Sequence, residues 1–167
     1  MDEQTLSTLA DIGLLILRIM FAWIFLWPLP GLLKNWNATV QTTGLLFPFG
    51  QSLFTFISVA GMAICSIMVM VGIYGRAGGL FLFFFCIGGA IVHNKLAGLP
   101  EAAAKELPSK DLQTPCGKVL DQALTLNRVG NVTSAQKNLV IAGIAAFFAL
   151  AGTGDLSVIS FWPNPAS

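Results

Sequence analysis

The chain has 167 residues, of which 55% are hydrophobic and 10% are charged, and its mean hydropathy is +0.76. Soluble domains carry about 25% charged residues, so this composition excludes an ordinary water-facing surface and predicts an integral membrane protein. The formal net charge of +1 gives no electrostatic basis for binding nucleic acid. At this length a single domain is expected.

Four apolar runs approach the length of about 20 residues that a helix needs to cross the hydrocarbon core of a bilayer. They cover residues 9–29, 52–75, 77–93 and 134–152. Pro28 and Pro30 stop the first run, because proline lacks a backbone N–H and clashes with the preceding turn. The runs are continuously apolar, whereas membrane strands alternate and four of them could not close a barrel. The predicted fold is therefore all-α: one membrane domain, residues 1–167, built as a four-transmembrane-helix bundle.

The connections between the runs differ in character. The link between the second and third runs is so short that these helices must form an antiparallel hairpin. Residues 31–50 are semi-apolar and are predicted to form a re-entrant or surface-lying segment. Residues 94–133 hold most of the charge and are predicted to form a long polar loop between the third and fourth helices. This loop contains a short helical stretch framed by Pro100 and Pro108.

A second short helix is predicted within the polar loop, with Thr114 as its N-cap and Pro115 at its first position. Its apolar side chains share one face. The sequence leaves open whether this face rests on the bilayer, rests on the bundle or docks another subunit. The candidates for contact with a partner protein are Leu112, Val119, Leu120 and Leu124.

The distribution of lysine and arginine predicts an orientation. Four spans place both termini and Arg76 on one side of the membrane, and most other basic residues, from Lys34 to Lys137, on the other. The positive-inside rule then puts the loop 94–133 in the cytoplasm. The expected location is multi-pass in a bacterial inner membrane.

Three ionisable residues within or next to the spans are the candidates for ligand binding: Arg18, His93 and Asp155. Ionisable groups in a membrane mark functional sites or structural pairs. Arg18 lies deep in the first run, so it must face the bundle interior. Its expected partners are Asp155, loop carbonyls or a bound anion, and a purely structural role in helix packing is the alternative.

His93 is the only histidine in the chain, which excludes a bis-histidine haem within one copy. It is predicted to act either as an interfacial hydrogen-bonding residue or as a lone ligand or proton carrier. No span carries glutamate, so a dinuclear carboxylate metal site is not expected. The pattern indicates no catalytic residue and no metal ligand.

Three segments resemble the DoxX-like family. "LLILRIMFAWIFLWPLPGLLK" is similar to its first helix, "VGIYGRAGGLFLF" to its central hairpin and "NLVIAGIAAFFALAGTGDLSV" to its closing helix. The residues that carry the likeness are Arg18, Gly31, Lys34, Gly72, Arg76, Asn138, Gly152, Gly154 and Ser157. The resemblance implies a four-helix membrane bundle that serves as a subunit of quinone-linked oxidoreductases and redox-associated complexes. The chain departs from the family at Met62, where members often carry glutamate, and in its longer loop.

Three functions are compatible with the sequence. The first is a non-catalytic accessory subunit of a larger redox or energy-transducing membrane complex, whose partners are other membrane subunits and lipid. The second is a small quinone-interacting oxidoreductase subunit of the DoxX type, which holds a quinone near Arg18 and His93. The third is a small-solute carrier, although the chain lacks the inverted repeat and the broken helices that are typical of carriers. Quinone or lipid is the expected small-molecule partner.

Overall fold

The computed structural model describes residues 2–106 and 114–157. Six helices form this part of the chain, and no strand occurs in it. They are α1 (Glu3–Leu26), α2 (Leu29–Lys34), α3 (Trp36–Gly44), α4 (Gln51–Val71), α5 (Gly75–Glu106) and α6 (Pro115–Ala151). The all-α prediction is confirmed for these residues.

Four stretches are long and apolar enough to cross a membrane: residues 3–34, 51–71, 75–100 and 115–151. Each contains one of the four predicted runs or most of it. α1 ends at Leu26, just before Pro28, where the sequence predicts its end. Large apolar side chains such as Met20, Trp23 and Leu150 point outward and are exposed. An apolar exterior of this kind is typical of a multi-pass membrane protein.

The long polar loop predicted over residues 94–133 is wrong for the residues that the structure describes. α5 continues through Pro100 to Glu106, and α6 begins at Pro115 and runs without a break into the fourth apolar run. The fall in hydropathy after His93 marks a change of environment for the side chains, not the end of the helix. Alanine, leucine, lysine and glutamate dominate residues 95–106, and these are strong helix formers in any solvent. Residues 107–113, including Leu112 and Pro108, lie outside the described residues.

The start of α6 is fixed by a predicted cap. Pro115 is the first helical residue, and the Thr114 hydroxyl accepts a hydrogen bond from the Gly117 amide at 3.0 Å. This satisfies one of the amides that the first turn leaves without a partner. The fourth apolar run, predicted to begin at residue 134, does not start a helix of its own, because Ser134 lies inside α6 and its hydroxyl donates to the Gly130 carbonyl.

Replacing Thr114 with alanine is expected to fray the first turn of α6. The loss of the capping oxygen should cost about 1 kcal/mol and speed hydrogen exchange of the Gly117 amide. Hydrogen exchange followed by mass spectrometry measures this directly. The control is Thr125→Ala in the middle of the same helix, which should leave the Gly117 amide as protected as in the wild type. Equal exchange in all three proteins would show that the cap does not hold the turn.

The segment between the first two spans forms the short helices α2 and α3, which pack against α4. The hydroxyls of Thr42 and Thr43 in α3 each donate to the backbone carbonyl four residues earlier. The Thr39 hydroxyl donates to the Leu32 carbonyl of α2, at 3.1 Å. The Lys95 ammonium donates to the Leu45 carbonyl at 2.7 Å, which ties α5 to the end of this segment. These contacts fix α3 beside α4 and α5.

The core of the bundle lies between α1, α4, α5 and α6. The Phe21 ring meets the Phe25 ring edge to face at 5.1 Å and the Phe148 ring at 5.2 Å. Met62 and Leu82 complete the same buried cluster. Aromatic pairs at this separation stabilise a core beyond the area they bury.

Two glycines allow α5 to approach its neighbours closely. A Cβ at Gly79 would lie 2.8 Å from the Ala145 carbonyl oxygen and 2.8 Å from the Ala149 amide nitrogen of α6. A Cβ at Gly78 would lie 2.8 Å from the Cys65 carbonyl oxygen of α4. Small residues at helix contacts are how membrane bundles pack, since lipid supplies no hydrophobic drive for association.

Candidate functional site

A cavity of about 480 Å³ opens between α3, α4, α5 and the start of the apolar part of α6. Its volume falls within the range of about 300–1,000 Å³ that is typical of small-molecule sites. Phenylalanine rings supply most of its apolar wall: Phe47, Phe54, Phe81, Phe84 and Phe85. Its polar lining consists of Thr39, Thr42, Thr43, Ser58, His93 and Asn138. This combination fits a molecule with an apolar body and a small polar head.

The threonine hydroxyls of the cavity are already engaged as donors to backbone carbonyls. Ser58 differs from them. Serines in apolar helices commonly donate to the carbonyl four residues earlier, as Ser66 does to Met62 at 2.6 Å. Within residues 2–106 and 114–157, no group forms a hydrogen bond with the Ser58 hydroxyl. Its hydroxyl therefore remains available to a ligand.

Asn138 lines the cavity from α6. Its amide nitrogen donates to the Ser134 carbonyl at 3.0 Å, so its Oδ1 faces the other way, toward α5. Gly89 makes room for it: a Cβ at this position would lie 3.1 Å from Asn138 Oδ1. Oδ1 accepts no hydrogen bond from the described part of the chain. Asn138 thus presents an unused acceptor next to the cavity.

His93 lines the same cavity from α5, and its protonation pattern follows from its neighbours. The Asn131 amide nitrogen donates to the carbonyl oxygen and to Oδ1 of Asn127, at 3.0 and 2.9 Å. Asn131 Oδ1 therefore faces His93 Nδ1, at 2.9 Å, and acts as an acceptor. Nδ1 must carry the hydrogen, so Nε2 of the neutral ring is an acceptor. No described residue donates to Nε2.

Arg18 lies in the other half of the bundle, near the end of α4 and the residues that follow α6. It is 1% exposed, and its Nη2 donates to the Leu156 carbonyl. The predicted burial is confirmed, and the partner is one of the predicted loop carbonyls. Nη1 packs so closely on Gly72 that a Cβ there would lie 2.6 Å from it. Among the described residues, neither Nε nor Nη1 has a hydrogen-bond partner.

Asp155 does not supply the contact to Arg18. It is exposed, and its backbone amide donates to Asp11 Oδ1 at 3.3 Å. The structure therefore places Arg18 and Asp155 at one end of the bundle and His93 at the other. The structure does not bring Arg18 and His93 together: Arg18 packs on Gly72 beside the start of α5, whereas His93 lies 18 residues further along α5, in a cavity that Arg18 does not line.

The partner-contact candidates lie on the polar half of α6. Val119 and Leu120 are exposed, Leu124 is half-buried, and Leu112 lies outside the described residues. No three His, Cys, Asp or Glu side chains in the described ranges lie close enough together to hold a metal ion.

Sequence reasoning identifies His93 but misses Ser58 and the three threonines of α3. A serine within an apolar run is the available signal for Ser58, yet serine is common in membrane helices. Asn138 contributes to the family resemblance, but its position in a cavity follows only from the contact between α5 and α6. The chain matches no protein-family model, no curated protein and no solved structure.

Proposed function

We propose that the protein is an integral membrane subunit that binds a lipophilic molecule with hydroxyl groups on its head in the cavity beside His93. The observation that supports this most directly is the set of unpaired polar atoms on an otherwise apolar wall. His93 Nε2 and Asn138 Oδ1 are acceptors, and the Ser58 hydroxyl can donate or accept. A head group with O–H donors satisfies these atoms, and an apolar body fills the space between the phenylalanine rings.

A quinol meets this description, and so the proposal agrees with the quinone-linked role that the DoxX-like resemblance implies. We assign binding rather than catalysis to this chain. Among the described residues that line the cavity there is no carboxylate and no cysteine thiol, and the side chains there suit holding a ligand. The chain is then an accessory subunit of a larger redox complex in a bacterial inner membrane, where partner subunits carry out the electron transfer.

Filling the cavity is expected to abolish binding. Gly88 lines it, and a Cβ there would meet only Leu46 Cδ1, at 3.4 Å, so the side chain of Gly88→Leu projects into the open space. We expect the affinity for a decyl-substituted benzoquinol to fall about tenfold or more, a loss of about 1.4 kcal/mol. Equilibrium dialysis of the purified chain in mild detergent, under nitrogen, measures the affinity.

Gly98→Leu is the matched control, because it lies on the same helix and a Cβ there meets nothing within 4 Å. It should bind the quinol as the wild type does. The oxidised quinone, which has no O–H to donate, should bind the wild type more weakly than the quinol. The proposal fails if Gly88→Leu and Gly98→Leu bind equally, or if the wild type binds neither form saturably.

A further inference from the structure

Two asparagines of α6, Asn131 and Asn138, present their side chains to α5 in the same way. They lie seven residues apart, about two helical turns, and so share one face of the helix. In each, the amide nitrogen donates to the carbonyl four residues earlier, at 3.0 Å, which turns Oδ1 toward α5. Asn138 Oδ1 lies beside Gly89 at the cavity. Asn131 Oδ1 meets Nδ1 of His93, four residues further along α5, so both asparagines offer this helix an acceptor.

Asn131 acts on the cavity through the His93 ring, since it is not among the described residues that line the cavity. It contacts Nδ1, and the two nitrogens of an imidazole point away from each other, so Nε2 is turned toward the cavity that His93 lines. An acceptor at Nδ1 holds the hydrogen there and leaves Nε2 as an acceptor. Without that acceptor the ring can carry its hydrogen on Nε2, which then becomes a donor. Asn131 therefore decides whether a ligand meets an acceptor or a donor at Nε2.

We propose that Asn131 is a positioning residue that makes the cavity prefer the reduced form of its ligand. This inference rests on the proposed function, because it concerns which form of the ligand enters the same cavity. A quinol has O–H groups that donate to His93 Nε2 and Asn138 Oδ1, whereas the oxidised quinone offers only acceptors. Two acceptors that face each other leave both groups without a hydrogen bond, and an unmade bond of a desolvated group is costly.

The preference sets the redox behaviour of the bound ligand. The two forms differ by two electrons and two protons, and a site that binds the reduced form more tightly raises the midpoint potential of this couple. The rise is about 30 mV for each tenfold difference in affinity. The oxidised form also dissociates more readily than the reduced form, which favours exchange of a quinone in the cavity for a quinol from the membrane.

Nitrogen NMR of the purified chain without ligand reads the position of the hydrogen directly. His93 is the only histidine, so labelling histidine with nitrogen-15 gives a single pair of ring signals. At about pH 9, where an imidazole is neutral, Nδ1 of the wild type should give the signal of a protonated nitrogen and Nε2 that of an unprotonated one. Asn131→Leu keeps the approximate size of the side chain and removes the acceptor, so the hydrogen should move at least partly to Nε2. A wild type with its hydrogen on Nε2 overturns the proposal without any variant.

Two further variants separate positioning of the ring from a general role in folding. Asn131→Asp keeps an oxygen that can accept from Nδ1, so the hydrogen should stay on Nδ1. Thr133→Ala is the matched control, because it removes a hydrogen bond on the same part of α6, from the Thr133 hydroxyl to the Val129 carbonyl at 2.8 Å. It should give the wild-type ring signals. If Asn131→Asp shifts the hydrogen as Asn131→Leu does, or if Thr133→Ala shifts it equally, the contact does not fix the ring and the proposal fails.

Equilibrium dialysis with the decyl-substituted benzoquinol and its quinone tests the consequence for binding. The ratio of the two affinities should favour the quinol in the wild type and fall about fivefold or more in Asn131→Leu, the typical net effect of one hydrogen bond. Thr133→Ala should keep the wild-type ratio. An unchanged ratio in an Asn131→Leu protein whose hydrogen has moved to Nε2 overturns the proposal and leaves quinol binding in place. A wild type with the hydrogen on Nδ1 that binds neither form saturably instead overturns the proposed function, and the preference with it.

Discussion

Replacing Gly79 with leucine is expected to destabilise the bundle strongly. A Cβ at this position already lies 2.8 Å from the backbone of α6, at the Ala145 oxygen and the Ala149 nitrogen. Backbone atoms cannot rotate away as a side chain can, so α5 and α6 must separate along their shared surface. Overpacking alone typically costs about 1–3 kcal/mol, and a forced helix separation should reach about 3 kcal/mol or more.

The measurement is the free energy of unfolding in a titration with sodium dodecyl sulfate, followed by far-ultraviolet circular dichroism. Gly13→Leu is the matched control, because a Cβ at Gly13 on α1 meets nothing within 4 Å. It should not destabilise the bundle, and its gain in helix propensity should raise the free energy of unfolding by up to about 1 kcal/mol. Gly79→Ala should fall between the two, since alanine improves helix propensity by about 1 kcal/mol but keeps the clash. If Gly79→Leu unfolds like the wild type, α5 and α6 do not pack as described.

The sequence predicts the apolar helices of this fold better than it predicts where the helices end. Hydropathy finds all four stretches that are long and apolar enough to cross a membrane, and Pro28 marks the end of α1, because proline and apolar length act locally. The same signal places the end of the third helix at His93, although α5 continues to Glu106. Hydropathy reports the solvent around a helix, whereas alanine-rich and charged segments stay helical in water. Helix propensity would extend the helix past His93, but Gly98 and Pro100 argue against its continuation, so only the structure shows that α5 reaches Glu106.

The candidate site was less predictable than the fold. A lone histidine at the end of an apolar run is a visible anomaly, and His93 does line the cavity. The cavity itself depends on how α3 leans against α4 and α5, which is a tertiary property without a local pattern. Ser58 illustrates the point, because only the structure shows that its hydroxyl lacks the usual backbone partner. For Arg18 the sequence predicted burial and left Asp155, loop carbonyls and a bound anion open as partners; only the structure shows that the Leu156 carbonyl is the acceptor.

Arg18 is the residue whose replacement separates a structural role from an electrostatic one. Its guanidinium is buried, donates one hydrogen bond to the Leu156 carbonyl and leaves two nitrogens without a partner among the described residues. Burying a charge with so few partners is costly, and apolar replacement of buried ionic groups is often neutral or stabilising. We therefore expect Arg18→Met to change the free energy of unfolding by no more than about 1 kcal/mol, the net value of one hydrogen bond.

Two further variants, Arg18→Gln and Arg18→Glu, are compared with Arg18→Met and the wild type. Glutamine removes the buried charge and keeps an uncharged amide, but its side chain is two bonds shorter than arginine, so this variant should be about as stable as Arg18→Met. Glutamate turns an acceptor toward that carbonyl and buries an unpaired carboxylate, so Arg18→Glu should lose about 3 kcal/mol or more. The same detergent titration measures all three variants. If Arg18→Gln and Arg18→Met prove as damaging as Arg18→Glu, the positive charge itself is required. The guanidinium would then have to neutralise a bound anion rather than fasten the residues after α6 to the end of α4.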